Sequence, residues 1–385
     1  MKTNLKKLLY SGVTLMSLGV LAACSSTSSS TTTASSAATS QTSVATTSNN
    51  STSSDSSSSS IDWSALPTTE VTLSNDGLKI TEGGTYILTG STTAGVTVET
   101  DANVRIILAG AEISSSDTAA INVINADNVE LEIKDGTTNT VKDTSNHTDT
   151  NIEGAIHVEA DLTITGNGSL TVEGNFQDGI VSTDDLVVNS GNITVTAVDD
   201  GIRGKDSLTI NGGTINVTAG GDGIKSTNDT DTTKGYTTIT GGDITVKAGD
   251  DAIKAETALT IDGGTITVPE SVEALEGTNI TINGGTIDVY GSDDAINASS
   301  TTSSDIYIKV TGGDLKVAVG SGDTDAFDAN GDIYISGGTI AVTAPTSAFD
   351  FDGTAELTGG TVTVNGEQIT QIVATGPGAG GHGGW

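Results

Sequence analysis

The sequence predicts an all-β chain wound as a right-handed parallel β-helix of about ten coils, and three observations carry that reading. A small residue followed by an apolar one recurs at Ala120-Ile121, Ala155-Ile156, Gly179-Ile180, Gly201-Ile202, Gly223-Ile224, Ala252-Ile253, Ala274-Leu275, Ala295-Ile296, Ala326-Phe327 and Ala348-Phe349. Gly-Gly pairs recur beginning at Gly212, Gly241, Gly263, Gly284, Gly312, Gly337 and Gly359. Between these landmarks apolar residues alternate with polar ones, as in Leu208-Thr209-Ile210 and Ile215-Asn216-Val217.

The closest repeats lie 21 or 22 residues apart, and wider ones carry insertions such as 227–235 and 299–305. A fixed period of this length marks a solenoid. Period-two alternation of Val, Ile and Thr bounded by glycine marks short strands, and no stretch of the repeats keeps a 3.6-residue apolar period. Three strands and three corners fit one coil. Stacked at about 4.8 Å, such coils make a rod of roughly 50 Å. Right-handedness follows from the usual parallel crossover. A β-propeller or sandwich is the alternative, but the units of those folds are longer or less regular.

Around this rod the chain divides in order. Residues 1–23 read as a lipoprotein signal peptide: Lys2, Lys6 and Lys7 precede an apolar run from Leu8 to Val20, and Leu21-Ala22-Ala23-Cys24 resembles a bacterial lipobox. That resemblance implies cleavage before Cys24, lipidation of its sulfur and a membrane-anchored mature chain. Cys24 is the only cysteine, so no internal disulfide forms. Residues 24–60, nearly all Ser, Thr, Ala and Asn after the cysteine, read as a disordered tether. Fully extended it reaches about 120 Å, enough to hold a domain beyond a cell wall. Residues 61–115 read as an N-terminal cap and opening coils that shield the rod's exposed edge. Residues 116–372 are the repeats, and 373–385 a glycine-rich flexible tail.

The chain has 385 residues, 49 of them acidic against 15 basic, for a formal charge of −34. Such a surface excludes nucleic acid and anionic membrane as partners and favours cations. Aromatics are 3 % of residues, too few for a thick core, which again suits thin repetitive layers.

The acids are patterned. Asp178, Asp200, Asp222, Asp251, Glu273, Asp294 and Asp325 each precede a small-apolar pair, and a second acid precedes three of them as Asp199, Asp250 and Asp293. Stacking places these carboxylates in one column about 5 Å apart, where unit charges repel by about 1 kcal/mol in water and several-fold more near protein. Three readings of the column stand side by side. Arg203, Lys225 and Lys254, three residues after their acids, compensate as a ladder of surface ion pairs or contact a ligand. Calcium binds among the doublets 199/200, 250/251 and 293/294, with Asp222, and in two further clusters, Asp323, Asp325 and Asp328, and Asp350 with Asp352. Or each Asp closes its own turn through an Asx bond.

Together the lipobox, the Ser/Thr tether and repeated phrases such as Asp199-Asp200-Gly201-Ile202 followed by Leu208 to Val217 resemble a bacterial surface carbohydrate-binding family. Its members are right-handed parallel β-helices similar in shape to pectate lyases. The resemblance covers roughly residues 120–365. It implies calcium sites and binding of plant-type polysaccharide, cellulose and acidic polygalacturonate included, without confirmed lyase activity. Asp199, Asp200, Asp250, Asp251, Asp293 and Asp294 match its acidic phrase; Val272 and Glu273 depart from it.

The functional expectation is a monomeric surface lipoprotein that binds an acidic polysaccharide through calcium held by stacked Asp corners. Tyr236, Tyr290, Tyr307 and Tyr334 fall at different repeat positions, which makes a flat stacking platform for cellulose the weaker expectation. A structural or adhesive rod stiffened by calcium is one alternative. A calcium-dependent lyase is another, with Arg203, Lys205, Lys225 or Lys254 as base, but ion pairing raises the pKa of each and repetition argues against a unique active site. His147 and His157 are expected in loops and at the surface.

Overall fold

The computed structural model describes residues 61–322 and 324–375. Among them it is all-β, with no α-helix and one short 3-10 turn at Trp63–Ala65. Nearly every strand pairs in parallel with the strand one repeat further on, so the chain builds three ladders side by side. Ladder A contains Gly154–Val158, Asp178–Ser182, Ile202–Gly204 and Ile224–Ser226; ladder B contains Asp161–Thr165, Asp185–Val188 and Ser207–Ile210; ladder C contains Ser169–Gly174, Asn192–Ala197 and Thr214–Ala219. This is a β-solenoid.

The small-apolar repeat is the register of ladder A. Ile121, Ile156, Ile180, Ile202, Ile224, Ile253, Leu275, Ile296, Phe327 and Phe349 follow one another as direct pairing partners. All ten are buried, and the last two rings stack at 5.2 Å. Leu208, Ile210, Ile215 and Val217 also point inward while Thr214 and Asn216 face solvent, as the alternation requires. Each such aliphatic side chain contributes about 1.5–3 kcal/mol by leaving water.

Steric limits at the corners explain the small residues. A Cβ on Gly201 would sit 2.3 Å from Val217 Cγ1 and 2.4 Å from the Gly223 carbonyl oxygen, so this stretch takes glycine; from Ala252 onward the column takes alanine. In the Gly-Gly pair only the second residue is left-handed, Gly213 at φ +99. The first leaves room for the coil below, since a Cβ on Gly212 would lie 3.0 Å from the Asn189 carbonyl. The same corner carries a polar ladder: Asn211 donates to Asn189 at 2.9 Å and Thr240 to Asn211 at 2.8 Å.

The opening residues join the ladders directly. The strand Gly84–Thr92 pairs with Val104–Ser114, and Thr68–Leu73 lies against Gly84–Thr92. At the other end Glu367–Ile369 folds back antiparallel on Thr361–Val364 through a turn with Asn365 and Gly366 at positive φ, the geometry of a type I′ hairpin. The signal-peptide and tether expectations, with Cys24, and the tail beyond residue 375 fall outside the described residues; at the start of the expected flexible tail, Thr375 is instead held, donating its N–H to the Phe349 carbonyl at 3.0 Å and accepting the Ala348 N–H at 2.9 Å.

Candidate functional site

The acidic column is built by ladder A. Asp178, Asp200, Asp222 and Asp251 retain only 3 %, 6 %, 6 % and 4 % of their exposure, so these are buried carboxylates. The first three use one oxygen to join coils. The Oδ1 of Asp178 accepts the backbone N–H of Asp200 at 3.1 Å, that of Asp200 the N–H of Asp222 at 3.0 Å, and that of Asp222 the N–H of Asp251 at 3.0 Å. Asp294 accepts the N–H of Asp325 at 2.8 Å in the same way. The bond to backbone is therefore made, but to the next coil rather than within the turn.

The second oxygen meets a cation. Arg203 contacts Asp178 at 2.8 Å and also Glu153; Lys225 bridges Asp200 at 2.6 Å and Asp222 at 3.0 Å; Lys254 contacts Asp251 at 2.8 Å and also Glu276. These are not the surface ion pairs expected, because burying one face of the column removes the carboxylates from water. Burial works against the Lys225 ammonium, but Asp222 and Asp200 more than offset it and hold its pKa above the ordinary value. Arg203 and Lys254 are raised by the same balance. Burial pushes the Asp178 carboxyl up to about 6 even beside Arg203.

These cations belong to a second column, parallel to the first. In register it runs Asn122, His157, Val181, Arg203, Lys225, Lys254, Glu276, Asn297, Asp328, Asp350. Beyond Lys254 it carries no positive charge. There Asn297 donates to Glu273 at 2.9 Å, and its side-chain oxygen has no hydrogen-bond partner among the described residues. Burial pushes Glu273 up to about 7, with Asp251 and Asp294 adding to it. Asp294 rises to about 6, chiefly by burial, and Asp328 to about 7 by burial with Asp294, Asp325, Asp350 and Glu273 around it.

The structure gathers the expected metal ligands unevenly. Carboxylate oxygens of Asp178, Asp199 and Asp200 lie within 4.8 Å of one another, as do those of Asp222, Asp250 and Asp251, and those of Asp251, Glu273 and Glu276. Asp199 and Asp250, the leading acids of their doublets, are exposed. No comparable trio includes Asp293 and Asp294 among the described residues. Asp328 stands beside Asp350 in register, whereas Asp352 is exposed beyond the strand Ser347–Phe351. Asp323 lies outside the described residues. Glu276 and Asn297 escaped sequence reasoning; their position three residues after a column acid, shared with Arg203, Lys225 and Lys254, is the signal that finds them.

Calcium takes about six to eight oxygen ligands. The first two trios already spend oxygens on Arg203, Lys225 and Lys254, so an ion there competes with a covalently attached cation. From Glu273 to Asp350 the donors are carboxylates and one unpartnered amide oxygen, with raised carboxyl pKa values. The donor chemistry fits a hard cation there.

A model of carbohydrate-binding domain-containing proteins matches residues 74–326. The chain belongs to that family. A carbohydrate-binding domain-containing protein of Acetivibrio thermocellus is 33 % identical over 135 residues, 33 % of this chain and 47 % of the relative, so the matched segment spans about half of the relative's length. A polysaccharide lyase-like protein from C. thermocellum, solved as a gadolinium derivative, is 32 % identical, superposes with a TM-score of 0.51, and covers 56 % of this chain and 92 % of its own.

Two expectations need correction. The histidines are buried, not at the surface. The insertion around residues 143–153 folds onto the rod, placing His147 Nε2 3.0 Å from Asp143 Oδ2 and its ring against Phe176 at 4.4 Å. His157 lies inside the strand Gly154–Val158, where burial first and Arg203 second lower its pKa to about 4. The tyrosines, in turn, do not all differ in position. Tyr236 precedes Thr237, the partner of Leu259; Ala258 pairs with Asn279, and Asn279 with Tyr307. Tyr236 and Tyr307 thus share one column of ladder B.

Proposed function

We propose that this member of the carbohydrate-binding domain family is a surface lipoprotein, anchored through Cys24 as a monomer, that holds an acidic polysaccharide by way of calcium. The observation that carries the reading is the change in the second column from Arg203, Lys225 and Lys254 to Glu276, Asn297, Asp328 and Asp350. Glu273, Asp294, Asp328 and the Asn297 oxygen would hold the ion, with Asp325 and Asp350 beside them. When bound, calcium joins protein and uronate carboxylates that otherwise repel.

Binding is preferred over elimination because every lysine and arginine of the column is already ion-paired. A base must be able to accept a proton, and Lys225 and Lys254 are held more firmly protonated than usual. The test is retention on insoluble polygalacturonate with calcium or with chelator, alongside the ultraviolet absorbance of unsaturated uronate. Calcium-dependent retention without unsaturated product is expected. Asn297→Lys, which extends the cationic column, should abolish the calcium dependence. Retention that ignores calcium, or release of unsaturated product, would overturn the reading.

A further inference from the structure

The corner between ladders A and B is long in two coils and absent in the two between them. Residues 227–235 form a loop between Ile224–Ser226 and Tyr236–Ile239, and residues 299–306 form another between Ile296–Ala298 and Tyr307–Val310. In the intervening coils the strands Ile253–Ile261 and Leu275–Ile282 run through this corner with no loop at all. The loop-bearing coils are three steps apart, about 14 Å at the usual strand spacing. The result is a cleft of about 670 Å³ walled by the two loops and floored by Glu256, Thr278 and Asn279.

The lining chooses among ligands. It is dense in hydroxyl and amide groups, from Asn228 and Thr233 on one wall to Ser299 and Ser303 on the other. Its charges are Asp229, Asp231, Glu256 and Glu276 against Lys254, whose ammonium is already spent on Asp251 and Glu276. An anionic chain is therefore repelled here, and the apolar lining, Ala255, Ala258 and Tyr236, is interleaved with polar groups in the way the two faces of a sugar ring require. Its one aromatic residue, Tyr236, 38 % exposed, stands at one end of the cleft. Its column partner Tyr307 stands past Asn279 at the other end. There it lines a second depression of about 460 Å³ with Tyr334, whose hydroxyl is held by Asp332 at 2.7 Å. Asn279 adds a side-chain oxygen with no hydrogen-bond partner among the described residues.

We infer that this cleft and the Tyr307–Tyr334 depression form a track for an uncharged glycan chain, bound without calcium and separately from the acidic column. Tyrosine faces stack on the apolar faces of sugar rings, and the hydroxyl and amide lining pairs with their hydroxyls. The inference rests on the carbohydrate-binding reading but places a second, chemically opposite ligand class on a neighbouring surface.

Titration calorimetry of the full chain with cellohexaose, xylohexaose and maltohexaose, each against hexagalacturonate, tests it in calcium and in chelator. At least one neutral hexasaccharide should bind equally in both conditions. Tyr236→Ala should weaken that binding about fivefold, and the Tyr236→Ala/Tyr307→Ala double variant at least tenfold. The double variant's melting temperature and its calcium-dependent hexagalacturonate binding should stay as in the parent. Unchanged neutral-glycan binding by the double variant, or hexagalacturonate as the one ligand bound, overturns the track and leaves the acidic-column reading standing. Binding of neither class by the parent chain overturns both.

Discussion

The two halves of the acidic column solve one electrostatic problem in opposite ways. From Asp178 to Asp251 each buried carboxylate meets a side-chain cation, and Asp178, Asp200 and Asp222 give their other oxygen to the next coil's backbone. From Glu273 to Asp350 the coil geometry persists, but the neighbouring column supplies Asn297, Asp328 and Asp350 where Lys and Arg stood. The backbone is the same, and three side chains per region decide the difference. A solenoid can thus hold a stack of buried acids as a permanent structural seam in one stretch and leave it open to a diffusible cation in the next.

The comparison breaks most severely at Lys225, which serves two carboxylates. Lys225→Met keeps most of the stem and removes the charge, leaving Asp200 and Asp222 buried and unpaired. The expected loss is about 3–5 kcal/mol, read from the denaturant midpoint. A loss below about 1 kcal/mol would mean that the bonds to backbone N–H groups alone sustain the seam.

This contrast was only half legible in the sequence. The ten small-apolar pairs were readable because one steric requirement, a thin corner beside an inward apolar residue, repeats in every coil. The acids were readable for the same reason. The second column was harder, because Val181, Arg203, Lys254, Glu276, Asn297 and Asp350 share a place in the coil and no common chemistry. Tyr236 and Tyr307 were hidden differently: loops of unequal length precede them, so the shared column appears only once strands are paired. His147 looked like a surface residue because nothing in a polar insertion announces that it folds back to cover Phe176, and His157 because the strand Gly154–Val158 that buries it follows directly on that insertion.

A smaller effect runs with pH through both halves. Glu273, Asp294 and Asp328 have folded pKa values raised to about 7, 6 and 7, so between their ordinary values and those the folded state holds more protons than the unfolded one. Their contribution to stability is present at low pH and is lost as pH rises through 6 to 7. His157 opposes them: its folded pKa is lowered to about 4, so its contribution is lost as pH falls from about 6.5 toward 4. Asp178 and Asp251 of the paired half, also raised chiefly by burial, act in the same direction, so the carboxyls outweigh one imidazole. In chelator, stability should therefore rise on going from pH 8 to pH 5, by an amount on the order of 2 kcal/mol once solvent screening of these half-covered groups is allowed for. Calcium should flatten that slope by stabilising the charged forms. A flat profile in chelator would mean that the open half is relieved by some other contact.

The smallest effect tests whether burial, rather than charge pairing as such, distinguishes the seam. On ladder C, Lys316 reaches Asp288 on the preceding coil at 3.3 Å, but the two side chains are 70 % and 56 % exposed. Coil-to-coil spacing and charge are those of the Lys225 pairs; only the surroundings differ. In water the Coulomb gain nearly balances the entropy of fixing two long side chains, so Lys316→Gln should cost under about 0.5 kcal/mol and less still at high salt. Set beside Lys225→Met, this substitution isolates the environment of the pair. If Lys316→Gln instead costs as much as Lys225→Met, the seam's strength comes from stacking charges along a rod, and burying the carboxylates adds nothing to it.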